Sequence, residues 1–283
     1  MKKSLIATII FLLCFGSAAH AVDLWQQLKD VFRPKSDKPS DPLVDPALRA
    51  LTGFSEEEEI AIGRQAAGSL LGAAPLVNNL KLQEYVNHVG RWVASQSERA
   101  GLNWHFGVID SNDINAFAAP GGYIFVTKGL YQLLHNESEL AGVLAHEVGH
   151  VIRKHHLEIL QQDRLVQEGT KILKKAVADN EYIKKLIGTG AEIFARSLDK
   201  RAEFEADRIA VVLAARAGYD AFGLPAVLQD IGHVAKDDSS VALLFKTHPH
   251  PNDRLDQLDK SVGTRLDALK GLSLEERFFV IAQ

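Results

Sequence analysis

The five residues HEVGH, His146–His150, lie near the end of the stretch ESELAGVLAHEVGHVIRKHH and decide how the rest of the chain is interpreted. In a helix, residues four positions apart are offset by only about 40° around the axis, so His146 and His150 project from the same face. Glu147 stands beside that face, where it can reach a water molecule on a metal ion that the two histidines share. The pattern therefore predicts a helix that carries part of a catalytic metal site.

The residues around HEVGH favour a helix that is buried in a protein core. Apolar side chains recur at helical spacing, at Leu140, Val143, Leu144 and Val148. Gly149 would let another backbone approach this helix closely. His155 and His156 follow at the predicted helix end, where positive charge complements the helix dipole. We interpret them as charges of this kind and not as metal ligands.

The sheet signal of the sequence lies just before this helix. NWHFGVIDS (residues 103–111) alternates enough to predict a strand, and INAFAAPGGYIFVTKGL (residues 114–130) predicts two strands around a turn at 120–122. Further upstream, FSEEEE predicts a helix start with Ser55 as N-cap and Glu58 completing a capping box. The other periodic segments are helical. The predicted fold class is therefore α+β, a mainly α-helical domain with one small β-sheet before the HEVGH helix.

A catalytic zinc ion needs a third protein ligand and an open fourth position. A second helical stretch, SLDKRAEFEADRIAVVLAARAG, offers carboxylates for this purpose. Glu203 and Asp207 are four residues apart and share a helix face, so one can bind the metal while the other orients a histidine ring. Glu205 is a competing ligand by position alone. Taken without HEVGH, the stretch is also consistent with an acidic helix start paired with Arg201 and Arg208.

Four motifs, in the order NAFAAPGG, HEVGH, EFEAD and THPHPNDR, make the chain resemble the zinc peptidase family of CAAX prenyl endopeptidases and the HtpX heat-shock protease. The resemblance is strongest to soluble exported members and covers roughly residues 54–259. In that family the first Glu of E-x-x-x-D is the third ligand, which implies Glu203 as ligand with Asp207 behind it. The implied ligands of one zinc ion per chain are His146, His150 and Glu203.

The expected chemistry gives roles to four more side chains. Zinc would lower the pKa of bound water toward about 7, and Glu147 would take the proton and later give it to the leaving amine. His248 and Arg254 match the family's H-P-x-x-x-x-R pattern and are candidate oxyanion partners. The resemblance also implies that His248 could occupy the fourth zinc position until substrate displaces it. Asn115 is expected to pair with substrate backbone at a sheet edge.

The first 21 residues predict a secretory signal peptide. MKKSLIATIIFLLCFGSAAHA has two early lysines, an apolar run from Leu5 to Phe15 and an Ala-x-Ala cleavage site, which predicts a periplasmic location. The single cysteine of the chain lies in this segment, so the cleaved chain would form no disulfide. We divide the chain into a signal peptide (1–21), an amphipathic helix with a proline-rich linker (22–53) and a zinc metallopeptidase domain (54–283).

The predicted function is a zinc-dependent metalloendopeptidase that hydrolyses peptide bonds of unfolded or misassembled envelope proteins. The alternative is a periplasmic assembly chaperone whose zinc site is structural or latched. Outer-membrane assembly machinery and a membrane surface are further candidate partners. The apolar face of Leu24–Phe32 would make the membrane contact, although a helix packed on its own domain has the same pattern. The net charge of −4 gives no support for a nucleic-acid partner.

Overall fold

The computed structural model describes residues 53–162, 198–235 and 237–281. The predicted signal peptide and the amphipathic stretch Leu24–Phe32 lie outside these residues. The described residues form a mainly helical structure with one three-stranded mixed sheet, which confirms the predicted α+β class. Within the described ranges, every helix is too short or too polar to cross a lipid bilayer.

Within the described residues, two helices precede the sheet, α1 (Glu56–Ala73) and α2 (Leu80–Ala94). The backbone N–H of Glu58 donates to Oγ of Ser55 at 3.2 Å, and the N–H of Ser55 donates to Oε2 of Glu58 at 3.0 Å. The predicted capping box is therefore confirmed. It satisfies two N–H groups that the first turn of a helix leaves without helical partners.

The sheet consists of β1 (His105–Ile109), β2 (Ala116–Ala119) and β3 (Tyr123–Thr127), in the order β1-β3-β2. The central strand β3 pairs with β1 in parallel and with β2 antiparallel. The predicted turn at 120–122 joins β2 to β3, and its two glycines have φ values of 74° and 93°, which L side chains rarely adopt. This order makes β2 an outer strand of the described sheet.

The HEVGH helix lies at the centre of the core. After the short helix α3 (Lys128–Leu133), α4 (Glu137–Ile152) begins at Asn136, whose side chain accepts from the N–H of Glu139. Every residue of α4 is buried. A helix that is covered on all sides is held by its packing partners, which here are α2, the sheet and two helices that follow.

Four α-helices lie in the described residues from 198 onward, α5 (Lys200–Arg216), α6 (Gly223–His233), α7 (Ala242–Thr247) and α8 (Pro251–Val262). Helices α4 and α5 pack directly against each other. A Cβ atom added to Gly149 would lie 3.2 Å from the Cα atom of Ala206, so the glycine allows the two backbones to approach as the sequence predicts. This approach sets the carboxylates of α5 opposite the histidines of α4.

Candidate metal centre

Three segments bring four potential metal ligands together. His146 and His150 lie on α4, Glu203 lies on α5, and His248 follows the end of α7. One ligand atom from each of these residues lies within 4.8 Å of the others. The first three side chains are buried, and the side chain of His248 is 11% exposed. The structure thus brings together residues that are up to 102 positions apart in the sequence.

The donor atoms of this cluster fit a zinc ion. The Nε2 atoms of His146 and His150 are 3.0 Å apart, and they lie 3.7 and 3.5 Å from the carboxylate oxygens of Glu203. Two imidazole nitrogens and a carboxylate oxygen form a ligand set of catalytic zinc. Oε1 of Glu203 is buried and lacks a hydrogen-bond partner among the described residues, a condition that a bound cation would relieve. Burial also lowers the pKa of His150 well below its ordinary value, which keeps the ring neutral, as a ligand must be.

Asp207 lies behind the ring of His146. Its Oδ1 atom is 2.9 Å from Nδ1 of His146, so Nε2 of the same ring faces the cluster. Arg254 donates to Asp207 from Nε at 3.0 Å and from Nη2 at 2.5 Å. Burial opposes ionisation of Asp207, but the charge of Arg254 and the hydrogen bond with His146 hold its pKa well below the usual range. The guanidinium of Arg254 therefore contacts both Asp207 and the ring of His146, with Nη2 3.2 Å from Nδ1 and 3.4 Å from Nε2 of that ring.

A cavity beside the cluster is lined in part by Glu147 and His248. Burial raises the pKa of the Glu147 carboxyl above its ordinary value. Nδ1 of His248 lies 2.6 Å from Oε2 of Glu203. Burial alone would lower the pKa of His248, but the charge and hydrogen bond of Glu203 raise it above its ordinary value. The cavity is thus lined by a carboxyl whose raised pKa favours its protonated form and by a histidine that contacts Glu203.

Comparison with known proteins agrees with this geometry. The sequence profile described as Peptidase family M48 matches residues 80–262, a range that includes helices α4 and α5 and the THPHPNDR segment. The chain belongs to peptidase family M48. The resemblance that four short motifs indicated is therefore confirmed.

Several named relatives of this M48 chain are metallopeptidases or proteases. The chain is 30% identical over 263 residues to the beta-barrel assembly-enhancing protease of Escherichia coli K12. The aligned region covers 90% of this chain and 51% of that relative. It is 30% identical over 162 residues to the mitochondrial metalloendopeptidase OMA1 of Arabidopsis thaliana, covering 57% of this chain and 32% of that protein. The chain thus spans about half the length of the first of these relatives.

Asn115 lies directly before the outer strand β2 of this M48 domain and lines the same cavity. Its backbone carbonyl accepts from the N–H of Thr127 at 3.0 Å and from the hydroxyl of Thr127 at 2.8 Å. The Asn115 side chain is buried, and within the described ranges its Oδ1 atom has no hydrogen-bond partner. The backbone carbonyl of Asn115 is therefore hydrogen-bonded to Thr127, while its side-chain amide faces the cavity.

His155 and His156 are the residues near this M48 site that sequence reasoning missed. They were interpreted as charged groups at a helix end, but both pack around His150. Nδ1 of His155 lies 3.0 Å from Nδ1 of His150, and the ring centre of His156 lies 6.0 Å from that of His150. Burial lowers the pKa of both, that of His156 to about 4, so they are neutral near pH 7. The turn at Lys154, with φ of 58°, returns the chain toward α4, and helical spacing could not predict that turn.

Proposed function

We propose that the chain is a zinc-dependent metalloendopeptidase of the periplasm that hydrolyses peptide bonds of unfolded or misassembled envelope proteins. The observation that carries this proposal is the convergence of His146, His150 and Glu203 beside the buried carboxyl of Glu147. This arrangement provides three protein ligands and a proton acceptor next to them, which are the protein groups that a zinc hydrolase requires.

The proposed chemistry depends on a proton that Glu147 accepts and returns. When bound, zinc supplies Lewis-acid chemistry that polarises a carbonyl group and acidifies water. Glu147 would accept a proton as water attacks the peptide carbonyl, and it would then deliver the proton to the leaving amine. Its raised pKa suits this task, because a carboxyl of ordinary pKa is a poor proton donor near neutral pH.

We propose that His248 is a latch over the fourth zinc position. His248 belongs to the same ligand cluster, and its Nδ1 atom lies 2.6 Å from Oε2 of Glu203. A ring in this place would have to leave before a peptide carbonyl could reach the metal. The alternative role, stabilisation of the oxyanion, requires the ring to turn from Glu203 toward substrate.

Substrate would bind along β2, which runs beside the cavity. Ala116, Phe117 and Ala118 of this strand line the cavity together with Glu147. Strand β2 pairs with β3 along one edge, so an extended peptide could add along its other edge. The side-chain amide of Asn115 would then bind the peptide backbone at the start of the strand. Arg254 would act by holding Asp207 in place.

The proposed substrates and location rest on the signal-peptide pattern and on the relatives. The Escherichia coli relative is named as a protease that enhances beta-barrel assembly. We therefore propose misassembled envelope proteins as substrates, with outer-membrane assembly machinery as a candidate partner. A second candidate function is an assembly chaperone with a latched zinc site, and the contact between His248 and Glu203 is the observation that favours it.

The test is cleavage of casein, an unfolded protein, by the metal-loaded wild-type chain beside Glu147→Gln. We expect the variant to lose at least about 100-fold in kcat/KM at equal zinc content, because it can neither accept nor return the proton. Glu84→Gln, which changes an exposed carboxylate on α2, is the matched control and should cut like wild type. Equal cutting by Glu147→Gln would contradict the proposal.

His248→Ala, measured in the same assay, separates the two roles of this histidine. Removing a latch should raise the rate of cleavage at low substrate concentration, whereas removing an oxyanion partner should lower it. If zinc-loaded wild type and His248→Ala both fail to cut, the chaperone function becomes the better account.

A further inference from the structure

We infer that His155 and Glu205 form an outer chain of polar contacts that orients the zinc ligand His150 and fixes its tautomer. This inference rests on the proposed zinc site. It concerns a histidine that is not among the four clustered ligands and a carboxylate that the sequence offered as a competing ligand. Both are positioning residues, because neither is expected to touch zinc or substrate.

The tautomer of His150 follows from the two contacts of its ring. Nε2 faces the ligand cluster, 3.0 Å from Nε2 of His146 and 3.5 Å from Glu203. When Nε2 binds a metal, the proton of a neutral imidazole must lie on Nδ1. Nδ1 of His150 lies 3.0 Å from Nδ1 of His155. Since one of two facing nitrogens must accept, Nδ1 of His155 is the acceptor.

The tautomer of His155 is then determined as well. With Nδ1 as acceptor, its ring proton lies on Nε2, which is 3.6 Å from Oε2 of Glu205. The other carboxylate oxygen of Glu205 lies 2.7 Å from Nε of Arg153. The chain of contacts therefore runs from Arg153 through Glu205 and His155 to His150, and each group has a partner suited to its charge or proton.

The two histidine ligands are thus supported in different ways by the same helix. Behind His146, Asp207 accepts directly from Nδ1. Behind His150, Glu205 acts through the intervening ring of His155. The motif EFEAD would place all three of its carboxylates in the zinc site, Glu203 as ligand and the other two as outer supports. Such outer partners typically contribute a factor of about 10–100 to metal affinity.

The test is the dissociation constant of Zn²⁺ for the metal-free chain, measured by competition with a chromogenic chelator. We expect His155→Phe to weaken zinc binding about 10-fold or more, and Glu205→Ala to weaken it by a smaller factor. His155→Gln should keep more affinity than His155→Phe, because its side-chain carbonyl can still accept from Nδ1 of His150. Glu158→Gln, an exposed carboxylate on the same side of the molecule, should bind like wild type.

The double variant His155→Phe/Glu205→Ala distinguishes the inferred chain from direct ligation. If Glu205 acts only through His155, the double variant binds zinc no more weakly than His155→Phe alone. A further full loss in the double variant would make Glu205 a ligand and overturn the inference. Unchanged zinc binding in both single variants would also overturn it. The metal-free thermal midpoint of Glu205→Ala should match wild type, because a merely structural role would lower it.

Failure of this inference can be told apart from failure of the proposed function. If peptide cleavage requires Glu147 but substitution of His155 and Glu205 does not change zinc affinity, the proposed function is supported and the inferred chain is rejected. If zinc affinity depends on both residues but the chain cleaves no peptide, the inferred chain is supported and the proposed function is rejected.

Discussion

At the scale of single residues, the site shows which parts of a metal centre are visible in a sequence. His146, Glu147 and His150 lie on one helical turn, so their spacing predicts their common location directly. The pairing of Asp207 with His146 depends on the packing of α5 against α4. Spacing and the family motif together predicted Asp207 as a supporting carboxylate, but not the ring that it contacts. The contact of His155 with His150 depends on a left-handed turn at Lys154, which no local pattern predicted.

The ion pair of Asp207 and Arg254 leads to a prediction about stability and zinc affinity together. Both side chains are buried, so Asp207→Leu would leave the charge of Arg254 buried without its partner. We expect this variant to lose about 3–5 kcal/mol of unfolding free energy in the metal-free state, measured by urea denaturation.

The double variant Asp207→Leu/Arg254→Met provides the control for this prediction. It removes both charges, so most of the lost unfolding free energy should return. Zinc affinity should stay about 10–100-fold weaker, because His146 still lacks the acceptor behind its ring. Recovery of zinc affinity together with stability would show that Asp207 acts on the fold and not on the ligand.

At the scale of elements, local signals predicted the types of structure better than their arrangement. The capping box at Ser55 and the turn at 120–122 each depend on a few adjacent residues, and the structure confirms both. The strand order β1-β3-β2 depends on pairings between distant segments, for which the sequence carries no comparable signal. The sequence therefore predicted one small sheet and a sheet edge at Asn115, but it did not predict the order of the strands.

The close approach of α4 and α5 gives a prediction at this scale. Gly149→Val would place a side chain against the backbone of Ala206, where an added Cβ atom already lies at only 3.2 Å. The two helices would have to separate, and Glu203 would move away from the histidines. We expect weaker zinc binding and a lower thermal midpoint, measured by chelator competition and calorimetry.

Gly68→Val is the matched control for this substitution. Gly68 lies in helix α1, and an added Cβ atom there meets nothing within 4 Å. Since glycine is a poor helix former, this control should keep its zinc affinity and lose no stability. Equal behaviour of the two variants would mean that the spacing of α4 and α5 does not set the site.

At the scale of the whole molecule, one buried carboxylate joins segments that are far apart in the sequence. Glu59 of α1 lies 2.7 Å from Arg99 and 3.1 Å from Lys154, and it accepts from the N–H of Gly121 at 3.1 Å. Burial opposes its ionisation, but the hydrogen bonds and charge of Arg99, with the hydrogen bond of Lys154, lower its pKa below the usual 4.5. The sequence pattern assigned Glu59 only to a helix start, because its partners are all distant.

This network predicts a pH dependence of stability. Since the folded pKa of Glu59 is depressed, its contribution is present above the unfolded pKa and is lost as pH falls below about 4.5 through the folded pKa. The metal-free wild type should exceed Glu59→Gln in unfolding free energy at pH 7, and the difference should shrink at pH 4 and pH 3. Urea denaturation across this range measures it, with Glu84→Gln as the control for an exposed carboxylate. A difference that is constant with pH would assign the effect to packing alone.

The central claim is that His146, His150 and Glu203 hold a zinc ion that serves catalysis. The most direct measurement is the zinc content of the purified chain after dialysis, determined by elemental mass spectrometry for wild type and Glu203→Ala. We predict one zinc ion per wild-type chain and a large loss of bound zinc in Glu203→Ala, because the variant lacks one of three protein ligands. A wild-type chain that binds no zinc, or a Glu203→Ala chain that holds it as tightly as wild type, would contradict the account.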